Sequence, residues 1–147
     1  MDKAIWILGV LLAGSLLPVQ AGLNGKMGQA IHSPVWASLI SFAVGLVAMI
    51  GYVLITQQPL HTQHIKDIPP VTWVAGALGA IYVTTVVMAF PQLGPALTFG
   101  LIVAGQLISS VALDHFHVLV QQQHSINGWR LLGIALIVAG VVIIRKF

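Results

Sequence analysis

The chain has 147 residues, 58% of them hydrophobic and 6% charged, with a formal net charge of +3 and no cysteine. Ordinary soluble domains carry about 25% charged residues, so a water-soluble fold is excluded, and the missing cysteines exclude disulfides and thiolate metal sites. The six basic residues make no nucleic-acid footprint, nothing resembles a phosphate loop or a nucleophile triad, and the expectation is a protein that is not an enzyme and carries no cofactor.

The hydrophobic residues gather in five stretches, about 4–23, 35–56, 71–90, 96–113 and 128–144. A bilayer core of about 30 Å is crossed by about 20 apolar residues at ~1.5 Å each, and lipid offers no partner for unpaired backbone groups, so each span is read as a helix. The reading is an all-α integral membrane protein with residues 1–147 as a single five-helix transmembrane domain.

The first span carries Pro18 and Gly22 near its far end, where a kink is expected. Residues 4–17 also resemble the apolar core of a signal peptide, with Val19-Gln20-Ala21 as a cleavage site. Because four further spans follow, the stretch is read as a retained helix. Ser33-Pro34 starts the second span with a capping serine and a proline suited to the first turn, and Pro69-Pro70 is read as starting the third. Only Pro91-Gln92-Leu93-Gly94-Pro95 separates the third span from the fourth, which predicts a tight helical hairpin. Residues 114–127 form the longest polar-leaning loop, with Gln121-Gln122-Gln123 inside it.

Small residues recur at four-residue spacing: Ala37, Ser41 and Gly45; Gly76, Ala80 and Thr84; Gly100 with Ala104 and Gly105 with Ser109. Such stripes let helices approach closely in lipid. Trp6, Trp36, Trp73 and Trp129 sit near span ends and read as interface anchors.

Polar side chains within the spans are costly in lipid and face the bundle interior. Gln20 and Asn24 lie four apart on one face of the first helix, and Gln106 is mid-span in the fourth, two turns after Thr98. Two readings stand for them: a substrate cavity lined by Gln20, Asn24 and Gln106, with Tyr82, Ser41, Thr84 and Thr85 as further wall candidates, or interhelical hydrogen bonds that only hold the bundle together. Asp114 ends the fourth span, where the helix dipole disfavours negative charge. Arg130, His115 or His117 are the expected compensation, as a structural ion pair or, less simply, as part of a proton-coupling site. Five of the six histidines, His61, His64, His115, His117 and His124, fall on one side of the membrane. Their spacings are common by chance, and no metal site is expected.

An odd number of spans puts the two ends of the domain on opposite membrane faces. Lys3, Lys66 and Arg130 fall on one face and Lys26, Arg145 and Lys146 on the other, three against three. Orientation follows the bias of basic residues. Here that bias is absent, so insertion in both orientations is expected, with pairing of inverted copies.

The ending Leu131-Leu132-Gly133-Ile134-Ala135-Leu136-Ile137-Val138-Ala139-Gly140-Val141-Val142-Ile143-Ile144 resembles the last helix of the drug/metabolite transporter (EamA-like) superfamily, small multidrug resistance proteins among them. With Gln20-Ala21-Gly22-Leu23-Asn24, Gly76-Ala77-Leu78-Gly79-Ala80, Gly105-Gln106-Leu107-Ile108-Ser109-Ser110 and Leu113-Asp114-His115-Phe116, nearly the full length resembles the five-helix YdcZ-type branch of that superfamily. The resemblance implies one half of a ten-helix inverted-repeat transporter in the bacterial inner membrane. Two antiparallel copies would rebuild the whole around a midplane site. It further implies an exporter of a small molecule and a last helix that dimerises through Gly133 and Gly140. One departure matters. Small multidrug resistance proteins use a glutamate in the first helix, and this chain has no glutamate; Gln20 and Asn24 do not titrate. A neutral or zwitterionic metabolite, exported or passively conducted, fits amides better than a lone cation. The rival readings are a non-transporting membrane subunit and a half-transporter that needs a different, oppositely oriented chain.

Overall fold

The computed structural model describes residues 3–60, 62–120 and 122–147, the side chains of residues 62–64 excepted. Among them the regular structure is all helical: α1 (Lys3–Ala30), α2 (Pro34–Thr56), two 3-10 turns (Thr62–Asp67 and Pro70–Trp73), α3 (Val74–Leu93), α4 (Pro95–Phe116) and α5 (Gly128–Lys146). Five helices are long and apolar enough to cross a membrane. The chain divides into two compact units, Met1–Pro91 and Gln92–Phe147.

The first helix runs seven residues past the end of its hydrophobic stretch, unbroken through Pro18. Hydropathy alone stops at Leu23, because Asn24, Gly25, Lys26 and Gly28 are poor membrane residues. Packing decides otherwise. Ala21, Asn24, Gly25 and Gly28 are the buried residues of α1, and their three- and four-residue spacing puts them on one face. A Cβ added to Gly28 would stand 3.4 Å from the Pro34 Cα and 3.6 Å from the Ala37 Cβ. Gly28 thus packs in van der Waals contact with the start of α2. At about 1.5 Å per residue, the extra residues lengthen α1 by about 10 Å.

The chain then reverses in two residues. His32 adopts a left-handed φ of 53°. The Ser33 N–H donates to the Gly28 carbonyl at 2.9 Å and the His32 N–H to that of Gln29 at 3.3 Å, the paired pattern that closes a helix end. Ser33 next caps α2: its hydroxyl accepts from the Trp36 N–H at 3.3 Å, with Pro34 in the first turn. The α2 N-terminus thus matches the sequence expectation. Proline starts the next segment too, although Pro70 opens a 3-10 turn that leads into α3.

At its C-terminus α3 continues through Pro91 to Leu93, and Gly94 alone separates it from α4. The proline ring is compatible with helical φ, so Pro91 costs a hydrogen bond without ending the helix. The stop is Gly94, at φ 74°, because a residue before proline is pushed out of the helical region.

Within the first unit Phe90 of α3 lies over the glycines of α1, 3.6 Å from a Cβ built on Gly22 and 3.9 Å from one on Gly25. Phe42 of α2 reaches within 3.8 Å of a Cβ on Gly79 of α3. In the second unit α4 packs on α5, with Thr98 and Ala104 buried on α4 and Val141 on α5. The approach is close: a Cβ on Gly100 would fall 2.9 Å from the Val141 Cγ2. Val141 is β-branched and stiff at χ1, so it cannot swing clear freely. Gly100→Ala should destabilise the chain by about 1–3 kcal/mol, read as a lower unfolding midpoint in mixed detergent, and Gly100→Ala with Val141→Ala should recover most of the loss. Gly105→Ala, where nothing stands within 4 Å, should not destabilise the chain and should stabilise it by up to about 1 kcal/mol through the helix preference of alanine over glycine.

Candidate functional site

The α1–α2 pair of the first unit holds two neighbouring cavities. One, of about 430 Å³, is lined by Gln20, Ser41, Phe42, Gly45 and Met49 with Val83 of α3. The other, of about 370 Å³, is lined by Gln20, Asn24 and Ser41 with Leu16, Met27 and Val44. Both volumes lie in the range of small-molecule sites, about 300–1,000 Å³. Gln20 and Ser41 belong to both cavities, so the two meet at a polar spot.

Three elements of local structure build that spot. Helical spacing stacks Gln20 one turn before Asn24. Farther along α1, Gly28 packs against Pro34 and Ala37 of α2 and the two helices run alongside. Ser41 then lies one turn beyond Ala37, which is fully buried in that contact. Asn24 retains 5% exposure, Gln20 is exposed and Ser41 half-buried. None of the three takes part in a side-chain hydrogen bond among the described residues. The remaining walls are apolar. Ser38, one turn from Pro34, satisfies itself by donating to the Pro34 carbonyl at 2.9 Å; Ser41 does not.

Of the residues singled out by sequence, the structure therefore gathers Gln20, Asn24 and Ser41. Tyr82 and Thr84 are half-buried on α3 but line neither cavity; Val83 between them does. Successive residues of a helix point about 100° apart, so polarity picked the flanking pair where direction picks the valine. Thr85 is exposed. Gln106 belongs to the second unit, exposed on α4, while the α5-facing contact of that helix runs through Gly100 and the buried Ala104. Phe42, Met49 and Met27 escaped notice, being ordinary apolar residues. The available signal was helical offset: Gly45 and Met49 stand four and eight residues beyond Ser41.

Asp114 finds the partner its position demands. The Arg130 Nη2 donates to the Asp114 Oδ2 in an ion pair, and the Arg130 Nη1 donates to the His124 carbonyl at 2.6 Å. Asp114 sits near the negative end of α4 and Arg130 near the positive end of α5, each at the helix end that disfavours it; pairing offsets both penalties. The loop between them is tied further. Gln123 Nε2 donates to the His115 carbonyl at 2.7 Å, the Ile126 N–H to the His115 Nδ1 at 3.3 Å, and Asn127 caps α5 by accepting from the Arg130 N–H at 2.9 Å. His117 holds a left-handed φ of 54° at the α4 cap. Among the described residues no three His, Cys, Asp or Glu side chains converge as a metal site; His61 and the His64 side chain lie outside those residues. Gly133 and Gly140 have nothing within 4 Å of an added Cβ, so neither serves the α4–α5 contact.

The family described as "Putative inner membrane exporter, YdcZ" matches residues 5–143. The chain belongs to the YdcZ family. It is 26% identical over 117 residues to "Inner membrane protein YdcZ" of Escherichia coli (strain K12), an alignment covering 79% of this chain and 78% of that protein. No solved structure matches. With its five spanning helices, this YdcZ-family chain is a multi-pass protein of the bacterial inner membrane. The family description points to a transporter rather than an enzyme.

Proposed function

We propose that the chain is half of an inner-membrane exporter or facilitator for a small neutral or zwitterionic metabolite, with two copies assembled in inverted orientation and working by alternating access. The observation that carries this reading is the unpaired polar spot of Gln20, Asn24 and Ser41 between two cavities in a membrane-spanning unit. Polar groups left unpaired in lipid are costly, and a transported solute is a partner that comes and goes. Gln106, exposed and polar on an apolar helix, is a polar contact that a second copy could cover. The open faces of Gly133 and Gly140 offer small-residue contact to that copy. Balanced basic residues favour inverted pairing, and the family description favours export. Asp114 serves structure in this account, through Arg130.

Export is tested by comparing small metabolites in the medium of cells that overproduce the chain, the Gln20→Leu variant or the Asn24→Leu variant at equal membrane abundance. The wild type should enrich one or a few uncharged or zwitterionic compounds outside the cell, and both variants should abolish the enrichment. Equal profiles for all three, with the proteins intact, would leave these side chains as interhelical glue in a non-transporting subunit.

A further inference from the structure

The cavity linings contain three polar side chains, Gln20, Asn24 and Ser41, and no charged one. Asn24 is the sharpest of them: its carboxamide lines a cavity, the residue keeps 5% exposure, and it has no side-chain hydrogen bond among the described residues. An enclosed amide without a protein partner is costly unless something else supplies the bond. Among the described residues no buried side-chain nitrogen or oxygen is fully cut off without a partner, so the Asn24 amide meets the cavity space itself.

We infer that these paired cavities bind an uncharged, mainly apolar molecule carrying one group that both donates and accepts hydrogen bonds, a carboxamide or an alcohol. The inference rests on the transporter reading and narrows its substrate from neutral or zwitterionic to uncharged. Two arguments carry it. The first is charge. An ion taken into this space would give up part of its hydration and meet no countercharge in the lining. A zwitterion takes that loss at both ends. Lys26, the nearest cationic residue along α1, is exposed and lines neither cavity. The second is hydrogen-bond arithmetic. Gln20 and Asn24 each present one carbonyl acceptor and two N–H donors, and Ser41 presents both kinds. A group that only accepts, such as an ether, leaves the carbonyls unmet; a quaternary ammonium satisfies none of the polar atoms by hydrogen bonding. The rest of the lining asks only for apolar bulk. Met27 and Met49 contribute flexible, polarizable walls that adapt to varied shapes, beside the aromatic face of Phe42.

The test uses the full chain in lipid nanodiscs and three radiolabelled aromatic probes, each measured against protein-free nanodiscs: benzanilide as the uncharged amide, benzoate as the anion and benzyltrimethylammonium as the cation. Benzanilide should bind saturably and the two ions should not. Asn24→Leu and Gln20→Leu should each weaken benzanilide roughly tenfold, the loss of about one hydrogen bond. Ser41→Ala, the least disruptive change, should weaken it by a smaller factor and guards against variants that misfold. Gln92→Leu, at an exposed site outside both cavities, should bind as the wild type does. Preference for either ion would overturn the uncharged class while leaving the exporter reading standing. Absence of saturable binding for all three, in a chain that still exports, would overturn the site. Benzanilide binding with the expected variant losses, in a chain that exports nothing, would support the ligand class and sink the transporter reading alone.

Discussion

A cysteine placed at Gln122 will react with a membrane-impermeant thiol reagent in about half of the molecules of intact cells, and two added lysines will drive that fraction to nearly none or nearly all. The chain has no native cysteine, so the label reports one position. Residue 122 lies between the fourth and fifth spans, on the face that carries Lys3, Lys66 and Arg130; Lys26, Arg145 and Lys146 mark the other. Basic residues beside short loops resist translocation, and three against three leaves nothing to choose between the faces. Gln58→Lys with Ser125→Lys adds two charges to the first face and should hold residue 122 in the cytoplasm. Gln29→Lys with Gln92→Lys adds two to the second and should expose it outside. All four positions are exposed, so the substitutions disturb no packing. Export supplies the second readout. Each biased variant alone should lose activity, and producing both together should restore it, because only then do inverted copies coexist. Full activity from one biased variant would refute the inverted pair. All-or-none labelling of the unbiased chain would fix a single orientation and turn the search to a different, oppositely oriented partner.

Removing Arg130 alone will cost more than removing Arg130 and Asp114 together. The two side chains are 24% and 28% exposed, enclosed enough that the pair exceeds the weak surface class of about 0–1 kcal/mol. Asp114→Ala should lower stability by about 1–2 kcal/mol and Arg130→Ala by about 2–3 kcal/mol, the difference reflecting the additional bond from the Arg130 Nη1 to the His124 carbonyl and the usual worth of charged hydrogen bonds. Asp114→Ala leaves a cation at the positive end of α5, and Arg130→Ala leaves an anion at the negative end of α4. Each leftover charge is unfavourable by about 0.3–1 kcal/mol. The double variant removes both, so it should be more stable than Arg130→Ala alone, which requires a coupling energy larger than the Asp114→Ala loss, about 2 kcal/mol or more. Unfolding midpoints of the four proteins close the cycle. Hydrogen exchange over residues 122–127 adds a local view: the His124 and Ile126 amides, which donate to the Asp114 carbonyl and the His115 Nδ1, should lose protection in the single variants. Strictly additive losses would show that the pair contributes nothing as a pair.

Much of this architecture is legible in the chain before any contact is known. Hydropathy is summed along about 20 consecutive residues, so five spans, the Ser33–Pro34 cap and the need of Asp114 for a basic partner all follow from neighbours in sequence. Arg130 stood among the expected partners, and the structure selects it over His115 and His117 because the loop returns through the Asn127 cap to place the first turn of α5 beside the end of α4. The small-residue stripes were only half legible. Gly100 and Gly105 look alike in sequence, yet Val141 meets one and nothing meets the other; a glycine permits close approach without saying from which direction it comes.

The candidate site divides the same way. Residue type alone marked Gln20, Asn24 and Ser41 as polar groups in lipid, and helical spacing placed the first two on one face. Their assembly depended on the continuation of α1 beyond its apolar stretch and on the packing of Gly28 against Pro34 and Ala37 at the start of α2. In the structure Asn24 is enclosed, Gln20 stays open, and the direction of α3 side chains brings Val83 rather than Tyr82 or Thr84 to the cavity. Local chemistry along the chain determined that this protein spans the membrane five times and which side chains lipid would not tolerate unpaired. Only the tertiary structure decided which of those side chains meet, because the direction from which one helix approaches another is set by the shapes of both surfaces and is written in neither strip of sequence alone.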